Sequence, residues 1–335
     1  MSNRGMLYGI GAYLMWGFFP LYFKALQSVP PLEIMFHRVV WCLLFLVGVI
    51  LVRKEWPILK LELRKPRVLP IYTLAAVLLA TNWLVYIFGV NSGQVIETSL
   101  GYFINPLFSV ALGVIFLREK LRPLQWLPIG IAAAGVIYLT IQYNSLPWIA
   151  LALAFTFGLY GLLKKIAPLG ALHGLSLETA ILFLPALGYL LFVESQGTAA
   201  FGHVSWTVTL LLALVGVVTA IPLLLFAAAA RAIPLYMIGI LQFIAPTGQF
   251  LLGVLVFGEA FTPTRVIGFT IIWMAVLLYS VESFLVHRRV SLDAAASCKR
   301  SFYSSSTKPL MDQSINSRGS TLSPIRLSKT FKWVW

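Results

Sequence analysis

Ten long apolar stretches are the feature that most constrains how this chain can fold. They span residues 5–23, 34–52, 68–90, 96–117, 124–141, 147–163, 176–193, 206–229, 235–257 and 264–283. About 20 helical residues cross a hydrocarbon core of roughly 30 Å. Because no water there can bond the backbone, each segment must pair its own amides, and continuous apolar runs favour helices over the alternating strands of a barrel. The sequence therefore predicts an all-α membrane protein with ten transmembrane helices.

Composition and charge exclude several other classes of protein. Apolar residues make up 59% of the 335 residues and charged residues 11%, and the mean hydropathy is +0.89. The net charge of +14 is concentrated in connections and at the C-terminal end, so it does not predict nucleic-acid binding. The two cysteines, Cys42 and Cys298, form no disulfide framework. No His, Cys, Asp or Glu cluster in the sequence has metal-ligand or catalytic spacing. The sequence therefore predicts no metal site, no bound cofactor and no enzymatic activity.

The basic residues of the connections predict the orientation. Alternate connections carry nearly all of them, namely Arg53, Lys54, Lys60, Arg64, Lys65, Arg67, Arg118, Lys120, Arg122, Lys164, Lys165 and Arg231. The opposite connections offer only Lys24 and Arg265. Since Lys and Arg flanking a span are retained in the cytoplasm, both termini are predicted to be cytoplasmic. The first apolar stretch lacks a small-residue cleavage site and is expected to stay as a helix.

The two halves of the chain repeat each other. A shift of 140 residues aligns Phe103, Ile104, Pro106, Gly113, Val114, Glu119 and Pro123 with Phe243, Ile244, Pro246, Gly253, Val254, Glu259 and Pro263. A shift of 141 pairs Gly17 with Gly158 and Lys24 with Lys165. A unit of about 140 residues is a domain duplication rather than a solenoid repeat. We predict two five-helix repeats, residues 1–143 and 144–288, followed by a basic, serine-rich, disordered cytoplasmic tail over 289–335.

Because five crossings is an odd number, the second repeat must enter the membrane inverted relative to the first. Inverted repeats recur in secondary transporters, in which a binding site between the halves opens alternately to either side. The fold class predicted here is therefore ten transmembrane helices arranged as two inverted five-helix repeats. The function predicted from it is transport of a small molecule.

Four stretches of the sequence are distinctive, namely 5–24 (GMLYGIGAYLMWGFFPLYFK), 32–41 (LEIMFHRVVW), 81–97 (TNWLVYIFGVNSGQVIE) and 100–122 (LGYFINPLFSVALGVIFLREKLR). They resemble the RarD-type permeases of the EamA family, in the drug/metabolite transporter superfamily. The resemblance covers about residues 1–290. It implies ten helices, cytoplasmic termini, the bacterial inner membrane, and transport of small metabolites or drugs. Members are often described as chloramphenicol-related permeases.

Polar residues inside the spans are the candidate substrate-binding residues, because such groups are costly in lipid unless they face protein or water. Helical spacing places Thr98, Tyr102, Asn105 and Ser109 on one face, and Gln242 and Gln249 are the repeat equivalents of Tyr102 and Ser109. Two such faces could line a central cavity, although interhelical hydrogen bonds alone would also explain them. Asn82, Trp83 and Tyr86 are further candidates, with core packing as the alternative.

Arg38 is the costliest of these residues, since a charge at membrane depth needs a partner. Glu97, Glu178 or an anionic substrate could supply one, or the side chain could snorkel to the surface. Glu178 is also a candidate for coupling transport to protons. Pro106 and Pro246 are predicted hinges, because each removes a backbone hydrogen bond within its helix. Glu119 and Glu259 are expected to have structural roles, bonding backbone groups at helix ends.

The leading prediction is thus a secondary transporter of a small metabolite or drug, since no phosphate-binding loop or ATPase domain is present. The alternative is a non-transporting membrane scaffold or sensor. The partners expected are a small-molecule substrate and membrane lipid, whose anionic headgroups the basic tail could attract. A homodimer is left open.

Overall fold

The structure is a computed structural model that describes residues 3–63, 68–117, 123–143, 145–233, 241–282 and 285. No β-strand occurs in these ranges. The chain folds into α1 (Asn3–Lys24), α2 (Pro31–Val52), α3 (Trp56–Leu63), α4 (Val68–Asn91), α5 (Val95–Leu117), α6 (Pro123–Tyr143), α7 (Trp148–Ile166), α8 (Ala171–Ser195), α9 (Trp206–Ala232), α10 (Ile244–Leu251) and α11 (Pro263–Glu282). A π-helical turn, Leu252–Val256, continues α10.

The all-helical prediction is confirmed for these residues. Six helical segments are long and apolar enough to cross a membrane, and they are Arg4–Lys24, Pro31–Val52, Val68–Asn91, Leu172–Ser195, Trp206–Phe226 and Pro263–Glu282. Shorter apolar helices cover Trp126–Gln142, Trp148–Lys164 and Ile244–Val256. The short helix α3 lies within a connection for which no helix was predicted. The predicted tail over 289–335, Cys298 and Glu119 lie outside the described residues.

Local sequence signals explain where several helices begin and end. Pro31 occupies the first position of α2, where its missing amide hydrogen costs nothing. Ser205 caps α9, and its Oγ accepts a hydrogen bond of 3.1 Å from the Val208 amide. Gly197, with φ of +67°, follows the end of α8 in the left-handed conformation that glycine tolerates best.

The helices pack mainly across the boundary between the two halves of the chain. Contacts between the halves join α1 to α9 and α10, α2 to α8 and α9, α4 to α7 and α8, and α5 to α7 and α10. In the two repeats α1 corresponds to α7, α2 to α8, α4 to α9 and α5 to α10. Exchanging each helix for its repeat equivalent converts the α1–α10 contact into α7–α5 and the α1–α9 contact into α7–α4. The same exchange converts α2–α9 into α8–α4. The contacts therefore occur in related pairs.

Two repeat-equivalent glycines make equivalent contacts. A Cβ atom placed on Gly17 would lie 3.7 Å from the Cα of Gly248 on α10. A Cβ atom on Gly158 would lie 2.8 Å from Cδ1 of Phe108 on α5. Residues 108 and 248 are related by the shift of 140 that aligns these helices. Small residues allow close helix approach in lipid, and both halves use them at the same place.

Candidate functional site

Arg38 lies inside the bundle and is surrounded by aromatic rings. Its side chain is buried, with 4% of the residue surface exposed. Its Cζ atom lies 4.0 Å from the centre of the Trp83 ring, and 5.6 and 5.8 Å from those of Phe23 and Phe19. Cation–π attraction at such distances partly offsets the cost of burying the guanidinium. Arg38 therefore packs within the protein and does not snorkel to the surface.

No carboxylate pairs with Arg38 among the residues that the structure describes. Of the two acidic partners suggested by the sequence, Glu178 binds Lys164, and Glu97 accepts a hydrogen bond of 3.0 Å from the Ile149 amide. The Nε atom of Arg38 is buried without an acceptor. Leaving a buried charged donor unpaired is costly, which makes this atom a candidate for binding a ligand.

The polar residues of α4 and α5 meet beside Arg38. The Nδ2 of Asn82 donates to the carbonyl of Leu153 at 3.1 Å and to Oγ1 of Thr156 at 3.0 Å. The Tyr102 hydroxyl lies 3.4 Å from Oδ1 of Asn82. The rings of Tyr86 and Tyr102 are 5.8 Å apart, and the Tyr86 hydroxyl is buried without a partner. Asn82, Trp83, Tyr86 and Tyr102 thus share one site with Arg38.

A row of aromatic rings extends from this site toward α7. Phe23 contacts Tyr86, which contacts Tyr102; Tyr102 contacts Phe157, and Phe157 contacts Tyr160. Each step joins ring centres 5.8–6.2 Å apart. Tyr102, Phe157 and Tyr160 are only half-buried, so this part of the row keeps some exposed surface.

A buried ion pair lies at the far end of the row. The Nζ of Lys164 is 2.7 Å from Oε1 of Glu178, and the Tyr160 hydroxyl donates to Oε2 at 3.0 Å. The side chain of Glu178 is fully buried and that of Lys164 is 14% exposed. Glu178, the coupling candidate predicted from the sequence, is therefore an ion-paired carboxylate. Protonation of Glu178 would break its ion pair with Lys164.

The other predicted polar residues are placed differently. The Thr98 hydroxyl donates to the Val95 carbonyl of its own helix, and the fully buried residue packs against α4 at Gly89. Gln249 donates from Nε2 to the Trp16 carbonyl at 3.0 Å, while its Oε1 and the Oδ1 of Asn105 are buried without partners. Gln242 lies half-buried in a turn, and the Ser109 side chain lies outside the described part of the chain.

The two proline positions differ in their surroundings. Pro106 lies in the middle of α5, which stays helical on both sides of it. Pro246 is the third residue of α10, where helix amides have no carbonyl partner within the helix. The helical path is interrupted before it, at Gln242 and Phe243, and by the π-helical turn after it. The backbone irregularity of this segment therefore flanks Pro246, and the hinge roles remain predictions.

Glu259 has the structural role predicted for it, but at the start of another helix. Its Oε1 and Oε2 accept hydrogen bonds from the amides of Val95 and Ile96 at 2.6 and 2.9 Å. These amides begin α5, where helix amides lack partners and a negative charge is favoured. Burial raises the pKa of the Glu259 carboxyl above its ordinary value, and the two amides oppose that change. The contact ties the second half of the chain to the first.

Sequence reasoning missed Phe19, Phe23, Tyr160 and Lys164 as site residues. The first two were treated only as parts of an apolar stretch, and Lys164 only as a basic residue of a connection. The shift of 141 that pairs Gly17 with Gly158 also pairs Phe19 with Tyr160 and Phe23 with Lys164. The repeat thus relates these four residues to each other, but no sequence signal places them near Arg38 or Glu178.

Comparison with known proteins agrees with this helical architecture. Residues 3–141 match the EamA-like transporter family. Protein RarD of Streptomyces exfoliatus is 46% identical over 297 residues, which cover 88% of this chain and 94% of that protein. The uncharacterized transporter YojE of Bacillus subtilis is 47% identical, with 83% and 94% covered. A protein named chloramphenicol-sensitive protein RarD, from Pseudomonas aeruginosa, is 30% identical, with 86% and 97% covered.

A solved crystal structure with 18% sequence identity matches the fold, with a TM-score of 0.56 over 84% of this chain and 99% of that chain. At this low sequence identity the match shows a similar fold and nothing about function. The helical bundle and the relatives define a multi-pass membrane transporter rather than an enzyme. The chain belongs to the EamA-like transporter family, among its RarD-type permeases.

Proposed function

We propose that this protein is a secondary carrier that moves a small metabolite or drug across the bacterial inner membrane by alternating access. The two halves, residues 1–143 and 144–288, would lie in the membrane as inverted repeats, with both termini in the cytoplasm. The residues around Arg38, together with the predicted polar residues of α5 and α10, would line the substrate site. Pro106 and Pro246 would allow α5 and α10 to bend, and Glu178 would couple transport to protons.

The paired helix contacts are the observation that carries this proposal. Contacts between the halves map onto each other when each helix is exchanged for its repeat equivalent, and Gly17 and Gly158 face related positions. A two-fold arrangement of this kind gives a carrier two conformations of similar energy, one open to each side, because either half can adopt the arrangement of the other. The positive residues of alternate connections support the proposed orientation.

Accessibility labelling tests the inversion. Lys54 and Ser195 are exposed, repeat-equivalent under the shift of 141, and outside the site. In a background with both native cysteines replaced, we expect a membrane-impermeant maleimide to label Ser195→Cys in intact spheroplasts, and Lys54→Cys only after permeabilisation. Labelling of both positions from the same side would refute the inverted repeat and the carrier mechanism built on it.

Transport itself is tested by comparing metabolites of a deletion strain and an overexpressing strain. Compounds whose levels change, and chloramphenicol, are then measured in vesicles with and without an imposed proton gradient. We expect at least one compound to accumulate in a gradient-dependent manner, and replacement of Glu178 by Gln to remove that dependence. A correctly inserted protein that moves none of these solutes, yet retains a protein partner on purification, would favour a scaffold or sensor.

A further inference from the structure

We propose that the Arg38 site binds the acidic group of a small organic anion, whose flat or apolar body packs along the aromatic row formed by Phe23, Tyr86, Tyr102, Phe157 and Tyr160. This names a substrate class for the site described above and rests on the proposed carrier function. Arg38 brings an unpaired charge to this site, unused hydrogen-bond donors lie around it, and an aromatic surface continues from it.

The charge is the first observation. Only 4% of the Arg38 surface is exposed. None of the residues that the structure describes places a carboxylate against its guanidinium. Aromatic faces cover the guanidinium but cannot accept hydrogen bonds from its edge as a carboxylate does. A buried cation without an anion is retained at a high energetic cost, which is typical of a binding site.

The donors are the second observation. Nε of Arg38 and the hydroxyl of Tyr86 are both buried without partners, and Tyr86 is 3% exposed. Tyr86 and Arg38 both contact the Phe23 ring, at 5.9 and 5.6 Å from its centre. Both donors thus belong to residues that border one ring, and an acid group bound there would accept a hydrogen bond from each donor that it reaches. An arginine edge and a hydroxyl together select an oxyanion over a neutral amide, because the amide has fewer acceptors and no charge.

The aromatic row is the third observation. It extends away from Arg38 over five rings and ends at the Lys164–Glu178 pair. Such rings bury apolar area and favour flat or aliphatic groups over strongly hydrated ones. An anion with an apolar body thus matches both Arg38 and the aromatic row, whereas a small anion without a ring, such as acetate, matches only the arginine.

Equilibrium binding of radiolabelled benzoate and phenylphosphonate to the purified, full-length protein in nanodiscs tests this assignment. Benzamide serves as the uncharged match for benzoate, and acetate as the match without a ring. We expect at least one of the two ring-bearing anions to bind. Benzamide should bind at least about tenfold more weakly than benzoate, since a hydrogen bond to a charged group contributes at least that factor. Acetate should also bind more weakly, because it has no ring to pack against the aromatic row. Equal affinity for benzoate and benzamide, or failure of both anions to bind, would overturn the proposal.

Variants separate recognition from folding. Arg38→Gln is expected to weaken anion binding at least about tenfold, whereas Arg53→Gln, at an exposed arginine paired with Glu55, should leave it unchanged. Tyr86→Phe removes only the unpartnered hydroxyl and should weaken binding severalfold without loss of folded protein, so it decides the question if Arg38→Gln fails to fold. Unaltered anion affinity in Tyr86→Phe and in any folded Arg38→Gln protein would refute the assignment.

The carrier proposal can fail or stand independently of this one. Gradient-dependent transport of a neutral compound that Arg38→Gln leaves intact would remove the anion class and keep the carrier. Anion binding that depends on Arg38, in a protein whose Lys54→Cys and Ser195→Cys variants are labelled from one side, would keep the site and remove the inverted-repeat mechanism.

Discussion

Replacing Lys164 by methionine is expected to lower the free energy of unfolding by about 3–5 kcal/mol, because it leaves the carboxylate of Glu178 buried without its cation. The pair is closed, with 2.7 Å between Nζ and Oε1 and no exposed surface on the Glu178 side chain. Tyr160 would still donate one hydrogen bond to the carboxylate, but a neutral donor does not replace a positive charge. Chemical unfolding of the purified protein in mixed micelles measures the loss.

A double variant identifies the unpaired charge as the cause. Lys164→Met combined with Glu178→Gln removes both charges, and we expect it to recover most of the stability lost in the single variant. Lys60→Met provides the control, since Lys60 is exposed and its contact is with the half-exposed Trp56. This change should alter the free energy of unfolding by less than about 1 kcal/mol. A double variant as unstable as the sum of its single variants would show that the pair contributes through packing instead.

The helices were predictable because they depend on local sequence. Each apolar stretch must satisfy its own backbone in lipid, so composition over about 20 residues is sufficient to locate it, as α2 and α4 illustrate. The interruption at Gln242 and Phe243 and the short helix α3 were not predicted. Both occur where the local sequence is compatible with either outcome, and packing against other helices decides between them.

The site was predictable only in part, for a related reason. Asn82, Trp83 and Tyr86 were found because polar and aromatic residues in a span are conspicuous, and helical spacing placed Asn82 and Tyr86 on one face. Their neighbour Phe23 has no such signal, since an aromatic residue in an apolar helix is ordinary. The partner of Glu178 was also missed, because the fold sets the distance between α7 and α8.

Enlarging Gly216 is expected to disrupt the contact between α9 and α2. A Cβ atom at this position would lie 2.2 Å from the carbonyl carbon of Trp41 and 2.3 Å from the amide nitrogen of Cys42. These are backbone atoms, so no side-chain rotation can make room, and the two helices must separate. We expect Gly216→Ala to cost about 1–3 kcal/mol of unfolding free energy and Gly216→Leu to prevent accumulation of folded protein, as measured by size-exclusion chromatography and chemical unfolding.

Gly188 on α8 is the matched control, because a Cβ atom there meets nothing within 4 Å. Gly188→Ala should be neutral or stabilise the protein by up to about 1 kcal/mol, since alanine favours the helix. The Gly216 series also bears on the site, because Arg38 lies one helical turn before Cys42 on α2. Moving α2 away from α9 should shift Arg38 relative to Trp83 on α4, so folded Gly216→Ala protein is expected to bind benzoate more weakly than Gly188→Ala protein. Equal stability and equal benzoate affinity in the two alanine variants would mean that α2 and α9 do not approach this closely in the membrane.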